Sequence, residues 1–209
     1  MEIAVLKIDG TDTGKKAVLD DAVFGIKPND HAIYLDVKQY LAAHRQGTSK
    51  TKDRSEVAYS TKKIIRQKGS GGARHGSIKS NIYVGGGRAH GPRPRNYDFK
   101  LNKKVKQLAR FSALSYKAKE DAIAVIEPFT MDAPKTKEFV SIIKNIKVND
   151  RMVLFVVPER NENISLSSRN LENVKVATPN NLNTYDIMRA YSVVFVDGAQ
   201  NSLKTEYKR

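Results

Sequence analysis

Four histidines, one pair of adjacent aspartates and two glycine-rich turns are the places where this chain could do chemistry. His31, His44, His75 and His90 share no ligand spacing, and no cysteine stands anywhere in the chain to support them. A zinc site is therefore not expected. Asp20 and Asp21 could be imagined as a general acid and base. Adjacent residues in a loop face apart, so a solvated pair is the simpler reading. In Gly69-Ser70-Gly71-Gly72-Ala73-Arg74 the last position is Arg, which breaks the dinucleotide fingerprint. From Gly71 the spacing to Gly76 suits a phosphate loop, but Ser77 stands where that loop needs Lys. No Ser, Lys or Asp has a recognisable base partner. The expectation is no catalytic residue, no metal and no cofactor.

The chemistry that the sequence does support is electrostatic. Between Glu56 and Asp98 lie 41 positions with no acid, nine Lys and Arg, and eight of the thirteen glycines. From His44 to Lys106 there are 17 Lys and Arg against three acids, Asp53, Glu56 and Asp98. The rest of the chain holds 20 basic and 19 acidic residues. A nearly neutral body thus carries one concentrated cation, which calls for a polyanion. Each glycine costs about 0.5–1 kcal/mol in a regular element, so helix and strand are both disfavoured here. Arginine and lysine neutralise phosphates and release counterions, and guanidinium planes fork onto phosphate or stack on unpaired bases.

Tyr59, Tyr83 and Tyr97 add sparse stacking points, and His75 and His90 are read as base or phosphate contacts. Ile64, Ile65, Ile78, Ile82 and Val84 suggest that the segment folds partly on itself or on RNA, which argues against a plain linker. Nothing resembles a groove-reading helix, so RNA is favoured over DNA. The candidate RNA-binding residues are Arg45, Lys50, Lys52, Arg54, Lys62, Lys63, Arg66, Gln67, Lys68, Gly69, Gly71, Arg74, His75, Lys79, Arg88, Arg93, Arg95, Lys103, Lys104 and Arg110. Of these, Arg66, Lys68, Arg74, Arg93 and Arg95 are the leading phosphate and base contacts.

The elements that must position this segment read as one α/β domain over 1–209, with an extended loop over 47–98 inserted in it. A strand is expected over Glu2 to Asp9, a turn at Gly10 to Gly14 and a hairpin partner at Lys15 to Leu19. A helix follows Asn29 and Asp30 and stops near Gly47. Periodicity returns at Lys100, where Leu101, Val105, Leu108, Ser112 and Ser115 share a helix face. Strands at Ala122 to Ile126, Met152 to Val157, Val174 to Ala177 and Val193 to Val196 then alternate with helices after Pro134, at Ser165 to Leu171, at Thr184 to Arg189 and from Ala199. That alternation predicts parallel βαβ units in a three-layer, Rossmann-like fold with a mostly parallel sheet. The longest apolar run, Met152 to Val157, is far below the ~20 residues that span a bilayer. The first ten residues lack a secretory pattern. A soluble, cytoplasmic protein with no membrane partner is expected.

The residues also carry a resemblance. Arg45-Gln46-Gly47-Thr48, Arg66-Gln67-Lys68-Gly69-Ser70-Gly71 with Ala73-Arg74, and Gly76-Ser77-Ile78-Lys79-Ser80 lead the match. Gly85-Gly86-Gly87, Gly91-Pro92-Arg93-Pro94-Arg95, Lys103-Lys104, Ser112-Ala113-Leu114-Ser115, Ala133-Pro134-Lys135-Thr136-Lys137 and Arg169-Asn170-Leu171 continue it. In this order they resemble the bacterial form of the universal large-ribosomal-subunit protein four family. The resemblance implies a non-enzymatic constituent of the large subunit that binds its ribosomal RNA and supports its assembly. It implies neighbouring ribosomal proteins as partners, and a loop tip near Ile64 to Arg74 that lines the constriction of the peptide exit tunnel. Ile65, Arg66, Gln67, Lys68, Gly69, Ser70, Gly71 and Gly72 would be that tip, beside the nascent peptide. The family also implies an influence on macrolide susceptibility and, in some members, binding to the protein's own messenger RNA. The chain departs from its relatives at Ile65, where Trp is frequent, at Gly72, where a basic residue is common, and at Arg88-Ala89-His90.

From another class comes an RNA-modifying enzyme with a Rossmann-like domain and a basic substrate loop. It would use Gly10 to Gly14 as a cofactor turn. A nucleoid-associated DNA protein is a third, weaker reading.

Overall fold

In the computed structural model, residues 1–146 and 151–206 are described. The first strand, β1 (Glu2–Leu6), pairs antiparallel with β2 (Asp12–Val18). The turn between them is closed by Lys7 N–H to Thr11 O at 2.8 Å and Gly10 N–H to Lys7 O at 2.9 Å. It joins two antiparallel strands, so it is not the strand-to-helix turn that a nucleotide cofactor needs. Two features depart from expectation here. The second strand starts at Asp12 rather than Lys15. The Asp20-Asp21 pair opens a short helix, α1 (Asp21–Phe24), with Asp20 Oδ1 capping Ala22 N–H at 2.9 Å. Aspartate is a strong cap former, which a solvated-loop reading overlooks.

Helix α2 (Asp30–Ala43) precedes the basic segment, and α3 (Lys103–Lys119) follows it. Tyr116 Oη donates to Asp30 Oδ1 at 2.5 Å and Asn29 N–H donates to Ser112 Oγ at 3.1 Å, tying the two helices together. The expected face of α3 is only partly right. Leu108 is exposed, while Ala109, Ser112, Ala113, Leu114, Ser115 and Ala118 are buried. Small side chains win that face because they let the helix approach its neighbours closely.

The chain then alternates through β3 (Ile123–Ile126), α4 (Thr136–Asn145), β4 (Val153–Val156), α5 (Glu162–Ser168), β5 (Val174–Ala177), a 3₁₀ turn at Pro179–Asn181, α6 (Thr184–Arg189), β6 (Ser192–Val196) and α7 (Ala199–Glu206). Helix α5 begins earlier than the apolar spacing suggests, because Asn161 Oδ1 accepts from Asn163 N–H at 3.0 Å and Ile164 N–H at 3.4 Å. The result is a mixed α/β fold with six strands in the order β2-β1-β3-β6-β4-β5, every pairing after β1–β2 being parallel.

Alternation along the central strands divides the core in two. Ile123, Val125, Leu154, Val156, Val193 and Phe195 face one cluster with Phe24, Leu114, Ile187 and Leu203. Ile126, Val153, Phe155, Val157, Val194 and Val196 face the other with Phe139, Ile142 and Ile164. Strands covered on both faces read as continuous apolar runs, and Val153-Leu154-Phe155-Val156 does so.

A polar network adds to this core. Asp186, 2% exposed, receives Lys175 Nζ at 2.6 Å and Asn183 Nδ2 at 2.7 Å. Thr184 Oγ1 donates to the buried Asp36 at 2.5 Å and links α6 to α2.

Phe155 packs on Phe139 with ring centroids 5.2 Å apart, and both are almost wholly buried. Phe155→Ala is expected to lower the unfolding free energy by about 3–5 kcal/mol, read from equilibrium urea denaturation.

Candidate nucleic-acid interface

Residues 42–99 form a unit of their own, and 1–41 with 100–209 form the other. Among the described residues of 42–99 there is no strand pairing beyond one isolated bridge, Lys63 with Ser77. The segment nonetheless doubles back on itself in register. Arg95 N–H donates to Gly47 O at 3.1 Å, Thr51 N–H to Pro92 O at 3.1 Å and Arg88 N–H to Lys52 O at 2.9 Å. Further along, Ser77 Oγ donates to Ser60 O at 2.8 Å and Ile64 N–H to Gly76 O at 3.1 Å. An outgoing limb and a returning limb are therefore laced together, and the chain reverses through residues 65–75. Pro92 and Pro94 on the returning limb have no N–H to give, which keeps the lacing from becoming a ladder.

The glycines divide along this length. Where the limbs cross, side chains are excluded: a Cβ on Gly91 would overlap Thr51 Oγ1, and one on Gly87 would overlap the backbone of Arg54. At the reversal, Gly69, Gly71, Gly72 and Gly76 have nothing within 4 Å of a Cβ position. Half of the glycines thus serve the packing of protein on protein rather than the approach of RNA, a role that sequence reasoning missed.

The cations divide in the same way. Arg93 Nη2 meets Asp53 Oδ2 at 2.7 Å, a brace between the limbs, and Lys50 Nζ meets Glu56 Oε1 at 2.6 Å. Glu56 is held below its ordinary carboxyl range by the Lys50 hydrogen bond, then by Asp53 N–H and the positive charges of Lys50 and Arg93. Arg45 lies 3.8 Å and Arg95 4.6 Å from the Tyr97 ring centroid. Arg95, by hydrogen bond and charge, and then Arg45 by charge, lower the Tyr97 pKa from the usual phenol value. Four expected RNA contacts, Arg45, Lys50, Arg93 and Arg95, are thus engaged at the root. The signal was present in the sequence: Asp53 and Glu56 are rare acids inside a run of cations.

The remaining candidates are differently placed. Lys52, Arg54, Lys62, Arg66, Lys68, Arg74, Lys79 and Arg88 carry no side-chain ion pair or hydrogen bond among the described residues. All but the half-buried Lys79 are exposed. Lys63 Nζ, at the end of the outgoing limb, donates to Gln67 Oε1 at the start of the reversal. Ser70 is exposed with its glycine neighbours, and Ile65 is half-buried. His75 packs edge-on against Tyr83 at 5.5 Å, which takes up one face of a residue expected to meet RNA. Lys103 and Lys104 are exposed in the first turn of α3, and Arg110 is half-buried two turns further along the helix.

The expected apolar residues contribute little to the doubling back, since only Ile65 among them is half-buried. Ile64, Ile78, Ile82 and Val84 are all exposed, and Val57 alone among the segment's large aliphatic side chains is buried. Among the described residues no group of His, Asp and Glu is arranged to hold a metal, and no helix is long and apolar enough to cross a membrane.

The model of the ribosomal protein L4/L1 family matches residues 17–206. The chain is 60% identical to the large ribosomal subunit protein uL4 of Parabacteroides distasonis, over 100% of both chains. It is 57% identical to that of Phocaeicola vulgatus, over 98% of this chain and 97% of the relative. It is 54% identical to that of Cytophaga hutchinsonii, over 98% of each.

Two outcomes are expected from the root. Gly91→Val forces the limbs apart at a cost of about 1–3 kcal/mol, so trypsin should cleave within 47–98 faster than in the parent, whereas Gly72→Ala should leave the pattern unchanged. Glu56 has a lower pKa folded than unfolded. Its brace is therefore complete above the unfolded value of about 4.3 and fades as the pH falls through the lowered folded value. An NMR titration should show the Glu56 carboxyl titrating below the ordinary range, and Lys50→Ala should return it toward that range.

Proposed function

The chain belongs to the ribosomal protein L4/L1 family, and from that premise we infer that it is a structural, non-enzymatic constituent of the large ribosomal subunit. Its partners are large-subunit ribosomal RNA and neighbouring ribosomal proteins, and it works in the ribosome, in the cytoplasm. One observation carries the RNA reading furthest. The segment's acids at 53 and 56 are spent on cations of the root, while Arg66, Lys68 and Arg74 at the reversal meet no carboxylate. A cluster of exposed, uncompensated guanidinium and ammonium groups is stabilised by a polyanion and by little else.

The whole chain acts, in this reading, as one domain with 47–98 as its RNA-binding arm, and the sheet and helices form a three-layer, Rossmann-like body. The reversal, Ile65 to Gly72, passes through ribosomal RNA and lines the peptide exit tunnel, where the nascent peptide slides past it. Open glycines suit that place, because they add no side chain to a narrow passage. Ordering of the arm on RNA offsets part of the binding free energy and takes place at assembly. The RNA-modifying enzyme has no support: the glycine turn it needs is a hairpin turn between β1 and β2.

If the reading is right, the full chain stays on purified large subunits through a high-salt wash, because cations threaded among RNA are not stripped as surface cations are. Binding of the full chain to a large-subunit ribosomal RNA transcript should weaken on Arg66→Ala with Arg74→Ala. Its salt dependence, log K against log salt, should flatten by about 0.7–0.9 for each phosphate that is no longer neutralised. Release at modest salt, or an unchanged slope, would overturn it.

A further inference from the structure

Of the three tyrosines in the basic segment, two are already occupied. Tyr97 lies against two guanidinium groups, and Tyr83 is half-buried against His75. Tyr59 is different, with half of its surface open at 51%. It lines an open cleft of about 490 Å³ together with Lys52, Ala58, Gly85, Gly86 and Arg88. Two of its lining residues are glycines, and Gly85 stands at the hydroxyl end of the ring. A Cβ on Gly85 would stand 3.2 Å from the Tyr59 hydroxyl and 3.6 Å from its ring, and Gly85 sits at φ +80°, where a side chain is strained. Lys52 and Arg88 are exposed, hold each other only through the backbone bond from Arg88 N–H to Lys52 O, and meet no carboxylate among the described residues. The nearby acids, Asp53 and Glu56, are taken by Arg93 and Lys50.

An open aromatic face beside two uncompensated cations is the chemistry of a single unstacked nucleotide: a ring for the base and charge for its phosphate. The volume falls within the range of small-ligand clefts, roughly 300–1,000 Å³. We propose that this cleft holds one unpaired ribonucleotide of the bound RNA, its base stacked on Tyr59 and its phosphate between Lys52 and Arg88. The proposal rests on the RNA-binding reading and deepens it. The segment then grips RNA in two ways, by charge along the reversal and by one base partway along the limbs. It selects RNA that presents an unstacked base there, rather than a continuous duplex.

The test uses the full chain and a large-subunit ribosomal RNA transcript. Tyr59→Ala should weaken binding by about tenfold while leaving the salt slope unchanged, since stacking releases no counterions. Tyr59→Phe should retain the parent affinity. Lys52→Ala combined with Arg88→Ala should flatten the slope by about 0.7–0.9, for the one phosphate that they share. Independently of any variant, ultraviolet irradiation of native large subunits, followed by mass spectrometry, should find a nucleotide adduct on Tyr59. The proposal is overturned if Tyr59→Ala binds as the parent does, or if adducts appear elsewhere in the segment and not on Tyr59. A flatter slope on Lys52→Ala and Arg88→Ala with no effect at Tyr59 would make the cleft a phosphate surface only, and would overturn it too. Failure of the parent chain itself to bind RNA would instead sink the ribosomal reading.

Discussion

Repulsion among like charges is the constraint on which the basic segment depends. Seventeen cations against three acids between His44 and Lys106 cannot be drawn together without something to offset them. The structure concentrates its compensation at one end. Asp53 braces Arg93, Glu56 holds Lys50, and the Tyr97 ring screens Arg45 and Arg95 with its negative face. These exposed pairs are individually weak, on the order of 0–1 kcal/mol each. Their importance is positional: they fall where the limbs cross, with Gly47, Gly87 and Gly91 removing the side chains that would keep the limbs apart. Past them the chain runs out of acids, and the reversal keeps its full charge.

That division gives the segment two kinds of residue with one composition. Arg93 and Arg66 are the same side chain in the same basic run. One closes a protein contact, and the other meets no carboxylate among the described residues. The glycines follow suit, those of the root serving close packing and those of the reversal standing in open space. For a component of a ribonucleoprotein the arrangement has a clear use. The root offsets part of the segment's charge, while the reversal keeps its cations free of carboxylates.

The α/β body was largely legible beforehand, because its periods are strong. Val153-Leu154-Phe155-Val156 reads as a doubly covered strand and is one, with alternate residues sent to two separate core clusters. What went astray did so for local reasons. Capping by Asp20 made a short helix of a stretch read as loop, and Asn161 began α5 before its apolar spacing did. On α3, tight packing chose Ala and Ser over Leu108 for the buried face.

By itself the sequence determined the class of partner, the extent of the basic segment and the family. Net charge, glycine content and ordered motifs are properties of the chain that folding cannot alter. Only the tertiary structure decided which cations keep their charge available. Arg93 against Asp53 is a contact across 40 positions, and Arg45 meets Tyr97 across more than that. It likewise left Tyr59, of three similar tyrosines, with an open ring beside Lys52 and Arg88. Compensation of charge depends on distance through space, and no local pattern in the sequence encodes how two distant limbs come to lie side by side.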